Sequence, residues 1–252
     1  MYPKIFFLSL LSAWSLVTSA QSPTAELSAI VTYERKSFWI KIADKLPYLS
    51  QEEKDRAKLT WGKNDGYAEK YTLKIEKNQS LYELMDDDEA GNSWPWGKED
   101  LIFFRDFNAM KQTNIFEMMN ANYVLEDELV FPKWKILNEI KEVAGYLCMK
   151  AETRDTLKGQ IIHAWFAEKI PTQAGPEMMG GLPGLILGLD INNGATTVEA
   201  TKIEFEKVSQ NLALPKKISG KKINTKSYQK LIGEHISDCT KAKRNPFWSL
   251  RY

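Results

Sequence analysis

Two histidines, two cysteines and many carboxylates are the raw material for chemistry in this 252-residue chain. Cys148 and His163 make one thiol–imidazole candidate, in which the ring would draw off the thiol proton to create a nucleophile. His163 alternates with Ile161 and Trp165 in "IIHAWF", however, and reads as a packed strand residue. His235 precedes Cys239 by four residues, a spacing that puts both on one helix face and can hold a metal from it. Two ligands do not complete a zinc site, so no metal is expected. Asp86-Asp87-Asp88-Glu89 lacks the spaced acids and closing glutamate of an EF-hand and reads as a solvated turn. No G-x-S-x-G or S-x-x-K motif has a supporting context, and no glycine-rich loop ends in Lys-Ser/Thr, so serine nucleophiles and nucleotide hydrolysis find no support. Paired carboxylates of the glycosidase kind stay open, because the separation of two acids is invisible in sequence. No catalytic residue and no cofactor follow from these types and spacings.

Tryptophan is the remaining clue. Trp94 and Trp96 flank a proline in the polar stretch "DDDEAGNSWPW", where core packing explains them less readily than it explains Trp134 or Trp165. Aromatics at a loop rim stack on a ligand or a protein partner, or else fold back over a sheet edge.

The elements that must position these residues begin after a leader. Lys4, the apolar run Ile5 to Val17 and the small residues Thr18 to Ala20 have the layout of a secretory signal peptide over residues 1–20. The run is about 13 residues, short of the roughly 20 a membrane span needs. The mature protein is expected to start at Gln21, in an oxidising compartment. There a Cys148–Cys239 disulfide is the economical pairing and would stabilise by roughly 4–5 kcal/mol; two free buried thiols are the alternative. Removing the leader takes away Lys4 and no acid, so basic and acidic residues balance and the footprint of a nucleic-acid binder is missing.

Ala29 to Trp39 reads as a first strand with Val31 and Tyr33 on one face. Ser50 and Glu53 have capping-box spacing before a short helix. Tyr71, Leu73 and Ile75 alternate, "EKNQS" turns, and "LYELM" returns as a hairpin. Then come "LIFFRDF", "YVLEDELVF", "KWKILNEI", "GYLCMKAET" and "GQIIHAWFAEKI", short aromatic and β-branched runs about 10–14 residues apart without intervening helices, which predicts an antiparallel sheet. "ATTVEATKIEFEKV" alternates with a slip, a bulge near Thr201. From Thr225 the period lengthens: Tyr228, Leu231, Ile232, His235, Ile236 and Cys239 share one stripe, a C-terminal amphipathic helix over about 226–243. If it packs across the strand holding Cys148, the disulfide follows. The tail 244–252 alternates again at Trp248, Leu250 and Tyr252 and is expected as a final edge strand.

"MMGGLPGLILGLDINN", Met178 to Asn193, is the apolar centre. Leu182-Pro183-Gly184-Leu185 has the chemistry of a type II turn, Gly180 and Gly181 allow close backbone approach, and "LILGLDI" is apolar on both faces, as in a strand covered from both sides. Before it lies a long connection containing Ile170-Pro171 and Gly175-Pro176. Such loops carry function or mobility; the alternative is a plug covering one sheet face with Ile170 and the two methionines.

Gly181 to Ile186 resembles the signature of the GLPGLI family of exported bacterial proteins. The surrounding order is similar too: Trp134, "GYLCMKA", "AWF" with Trp165, then Pro171, Gly175 and Pro176. The resemblance implies a single domain over 21–252 in the cell envelope, periplasmic or associated with the outer membrane. It implies a mainly β fold, a curved antiparallel sheet forming an open half-barrel like that of lipoprotein carriers, with a helix in its concavity. It carries over no catalytic residue. The expected role is therefore non-catalytic binding of an apolar ligand (lipid or peptide) or of an envelope protein partner. Trp94, Trp96, Trp165, Pro171, Gly175, Pro176, Leu182, Pro183, Gly184 and Leu185 would shape the site. The other readings are an accessory subunit of an outer-membrane β-barrel complex, with the tail adding a strand to its partner, and an unrecognised hydrolase.

Overall fold

The computed structural model describes residues 27–63, 66–85, 101–208, 212–215 and 217–252. The signal peptide, the Asp86–Glu89 run and Trp94 and Trp96 lie outside the described residues.

The fold is mainly β, with the described residues forming a curved open sheet of twelve strands. In sequence order these are β1 (Ser28–Ser37), β2 (Tyr67–Glu76), β3 (Gln79–Leu84), β4 (Ile102–Asp106), β5 (Lys111–Met118), β6 (Ala121–Glu128), β7 (Lys135–Val143), β8 (Tyr146–Asp155), β9 (Gln160–Ala167), β10 (Leu185–Ile191), β11 (Thr196–Glu204) and β12 (Lys221–Ile223). They lie side by side as β12-β6-β5-β4-β3-β2-β1-β11-β10-β9-β8-β7. The pairings are antiparallel except at one edge, where β12 runs parallel to β6. The first strand is thus central, paired with β2 on one side and β11 on the other. Its alternation is as read: Ala29, Val31 and Tyr33 are buried and their neighbours are not. The bulge is also where the pattern puts it. The register passes from Thr32 opposite Lys202 to Tyr33 opposite Ala200, leaving Thr201 as the extra residue.

Three α-helices accompany the sheet among the described residues: α1 (Trp39–Asp44), α2 (Gln51–Trp61) and α3 (Thr225–Lys241). The strand expected to reach Trp39 stops at Ser37, because the next turn buries Ile42 and Ala43 together, which needs a helical period. Ser50 caps α2, accepting from the Glu53 amide at 3.2 Å. Asn224 caps α3 in the same way, accepting from Ser227 at 2.9 Å. The α3 stripe buries Ile232 and Cys239 and packs against β6 and a 3-10 turn, Pro246–Trp248.

Two local expectations need correction here. The tail is not an edge strand: after the 3-10 turn, Leu250 and Tyr252 are buried, with Phe247 against Tyr252 at 4.6 Å. Cys148 and Cys239 are both free and buried. Helix α3 docks on β6, in the arm of the sheet opposite β8. Cys148 contacts the Tyr146 carbonyl and Cys239 contacts His235 instead. Burial pushes the Cys148 thiol up to about 11, so it is protonated and inert.

The apolar centre behaves as its composition requires. Six of the seven β10 residues are buried, between β9 and β11 and under both faces. Gly184 is there for space, not for a type II turn: its φ is outside the left-handed region, and a Cβ would sit 2.3 Å from the Ala167 carbonyl oxygen. Gly181 does need its freedom, at φ +86° with the Phe131 ring against it.

Candidate functional site

Six strands separate β5 from β9 in the sheet, yet both line one cavity of about 400 Å³, which only the curvature of the sheet makes possible. The segment between β9 and β10 closes one side and α3 with the tail closes the other; Met178, Met179, Tyr228, Ile232 and Leu250 all reach the cavity.

That segment is a plug. Ile170, Ala174 and Leu182 are buried, and its backbone is tied down by Leu185 N–H to the Ile170 carbonyl (2.9 Å), Gly181 N–H to Gln173 (2.9 Å) and Trp134 Nε1 to Gly180 (2.8 Å). Arg105 fixes the rest. It occupies the inward position two after Phe103 on β4, is 1% exposed, and donates to the carbonyls of Gly175 (3.1 Å), Glu177 (2.5 Å) and Met179 (3.0 Å). Burial pulls the guanidinium down to about 10, against the Glu177 charge.

Held this way, Glu177 sits at φ 56° with its carboxylate turned into a buried charge cluster. Arg251 from the tail donates to both carboxylate oxygens, at 2.7 and 2.8 Å, the bidentate geometry that suits a guanidinium. Tyr82 donates at 3.3 Å, and Arg35 Nε lies 3.4 Å away. Burial by itself would raise the Glu177 pKa; the Arg251 charge and hydrogen bonds, with Arg35 and Lys158, outweigh it and hold the carboxyl at about 2. Lys158 donates to the Arg251 carbonyl at 2.7 Å, and burial draws its ammonium down to about 8 despite Asp155 and Glu177. Asp155, at the end of β8, accepts the Leu157 and Lys158 amides at 2.9 Å each, so one carboxylate oxygen is fixed by the turn beside the lysine. The cavity therefore has an ionised, fully engaged glutamate and, lining the same space, Asp155 close in sequence to a lysine whose ammonium burial has drawn down to about 8.

The residues expected to form a site are placed otherwise. Trp165 is half-buried on β9, its ring under Lys141 and Lys150, and does not line the cavity. Pro171 and Pro183 are exposed on the plug, Gly175 and Pro176 are buried in it, and Leu182, Gly184 and Leu185 pack in the core. The same loop reaches the cavity through Glu177, Met178 and Met179 instead. His163 contacts Glu152 at 3.3 Å, and His235 contacts Ser249 at 3.0 Å. Among the described residues no three His, Cys, Asp or Glu side chains gather to hold a metal. Sequence reading passed over Arg35 and Arg105, although each is an arginine at an inward position of an alternating strand, where a charge requires partners.

Residues 69–230 match the family described as "N-glycanase peptide, N-terminal domain". Two crystal forms of PNGF-II share the fold, with TM-scores of 0.54 and 0.53 and 16% identity over 82% of the present sequence. The protein spans about a third of the length of those structures, 33% and 32%. No curated protein matches the sequence. These findings overturn the GLPGLI resemblance, which rested on a six-residue corner and its neighbours, and with it the non-catalytic binding role and the expectation that the protein is no enzyme. Of the three functional readings, the hydrolase is the one an N-glycanase family favours. With the match extending over more than half of its length, this chain belongs to the N-glycanase peptide, N-terminal domain family.

Proposed function

We propose that the protein is an N-glycanase-type hydrolase unit whose cavity receives the glycan-bearing asparagine of a glycoprotein. The observation that carries this is the extent of the family match. Residues 69–230 include Asp155, Lys158 and Glu177, three ionisable groups that line the cavity. Hydrolysis of a glycosylated asparagine breaks the C–N bond of its carboxamide: the carbonyl carbon takes hydroxide from water and the nitrogen takes a proton. One group must receive the water proton and another must supply the leaving nitrogen. Glu177 suits neither role, with its pKa at about 2 and both oxygens occupied by Arg251. Asp155 is the base in this reading and the Lys158 ammonium, at about 8, the acid. Lysine with a lowered pKa is matched to proton transfer near neutrality. Export belongs to the same reading, since glycoproteins are extracellular substrates; no helix among the described residues is long and apolar enough to cross a membrane.

The test is incubation of the full-length protein with an N-glycosylated peptide, followed by mass spectrometry for conversion of asparagine to aspartate. Conversion is expected for the wild type and lost by at least about a hundredfold in Asp155→Asn and Lys158→Met. A wild-type protein that leaves the glycopeptide intact, or variants that cleave as well as it does, would overturn the reading.

A further inference from the structure

The hairpin of β2 and β3 carries a short motif that the cavity does not use. Asn78-Gln79-Ser80 has the Asn-x-Ser spacing of an N-glycosylation acceptor, and Asn78 is the only asparagine in the sequence with Ser or Thr two residues on and no proline between. Asn78 is exposed at the hairpin tip, in a two-residue turn where Lys77 takes φ 55° and Glu76 pairs with Gln79. The main chain fixes that turn: the Lys77 amide donates to the Leu27 carbonyl, and the Asn78 carbonyl accepts the Phe107 amide, both at 2.8 Å. Gln79 Nε2 donates to Asp106 at 2.8 Å.

Ser80 is the residue the fold does not explain. It is 0% exposed, between Ile75 of β2 and Arg105 of β4, and its Oγ has no hydrogen-bond partner among the described residues. Its small size has a reason, since the buried Arg105 side chain starts from the position directly across the strand pair. Alanine would meet that demand as well. The hydroxyl only adds a buried, unpaired polar group, which costs stability. Serine here answers to something other than the folded state, and an acceptor motif requires that hydroxyl two residues after its asparagine.

We propose that Asn78 is an N-glycosylation site, modified during export before β3 pairs with its neighbours. The donor is an oligosaccharide carried on a polyprenyl diphosphate, and the catalyst is an oligosaccharyltransferase of the exporting cell. The Asn78 carboxamide nitrogen attacks the anomeric carbon. A C–N bond forms, the C–O bond to the diphosphate breaks with its electron pair, and the amide proton passes to a base of the transferase. The order of events follows from burial: Ser80 is out of reach once β2 and β4 flank it, so the motif is read on the unpaired chain. Asn78 stays outside, where a bulky glycan fits the finished fold. This holds whether or not the protein is a hydrolase.

Mass spectrometry of the peptide carrying Asn78, from protein purified out of the cells that naturally export it, tests the site. Wild type is compared with Lys158→Met, in which the hydrolysis proposed above is disabled and self-cleavage cannot hide a glycan. A sugar mass on Asn78 is expected in Lys158→Met and is lost when Asn78→Gln or Ser80→Ala is added. A glycan in both proteins, or in Lys158→Met alone, supports the site; the hydrolase reading stands or falls on the glycopeptide assay instead. Unmodified Asn78 in Lys158→Met, or a glycan that survives Ser80→Ala, would overturn the site. Wild type and Ser80→Ala made in a host without the transferase are also compared, and the variant is expected to melt no lower. A fall of more than about 4 °C would mean that the fold itself uses the hydroxyl, and would overturn the assignment.

Discussion

Replacing Glu177 by glutamine keeps the shape of the residue and removes the buried negative charge that Arg251 grips with two hydrogen bonds. Arg251 and Arg35 would remain buried, Arg35 keeping Glu69 at 3.4 Å. Removing one partner of a buried ion pair leaves an uncompensated charge and costs about 3–5 kcal/mol. The depressed pKa points to the same size: a carboxyl brought from 4.5 to about 2 is worth about 3 kcal/mol at about 1.4 kcal/mol per pH unit. For a protein of this length each kcal/mol moves the melting temperature by about 2–4 °C, so a fall of about 6–20 °C is expected at pH 7. The pH dependence follows from the direction of the shift. A carboxyl whose folded pKa lies below its unfolded one contributes fully above the unfolded value and loses that contribution as pH falls through the folded one. The gap between wild type and Glu177→Gln should therefore be constant above about pH 5 and close between about pH 4.5 and 2. Thermal unfolding followed by near-UV circular dichroism at a series of pH values measures both. A loss below about 1 kcal/mol at pH 7, or a gap that does not narrow in acid, would refute the idea that the cavity is held together through this carboxylate.

Three further outcomes are expected. Arg105→Met strips three plug carbonyls of their donor and should cost about 3 kcal/mol or more, with faster hydrogen exchange at Ile170 to Gly181 than elsewhere in the sheet. Gly184→Ala drives a methyl into the Ala167 backbone and should destabilise by about 2–4 kcal/mol in urea unfolding, whereas Gly159→Ala, with open space around it, should cost only the strain of its positive φ, about 1 kcal/mol. The thiols should react with a disulfide reagent only after denaturation, and a reductant should leave the melting temperature unchanged; loss of stability on reduction would mean that Cys148 and Cys239 are paired after all.

Local periodicity and capping were legible in the residues alone, because both are set within a few positions of one another. Alternation marked β1, the hairpin of β2 and β3, and the slip at Thr201; Ser50 announced α2, and the stripe from Tyr228 to Cys239 announced α3. The double burial of Leu185 to Ile191 was legible for the same reason: an unbroken apolar strand has no face to show to water. The short motif misled about family because its glycines answer to packing, against Phe131 and the Ala167 carbonyl, and packing demands recur among proteins that do different things. Only the tertiary structure decided the site. Glu177, Arg251, Arg35 and Tyr82 come from a loop, the tail and two strands, with sequence separations of 74 and 95 residues between directly bonded partners. Asn114 and Gln160 share a cavity only because the sheet between them bends. Charge pairing and curvature act through space, and nothing in the spacing of residues along the sequence records which distant groups they bring together.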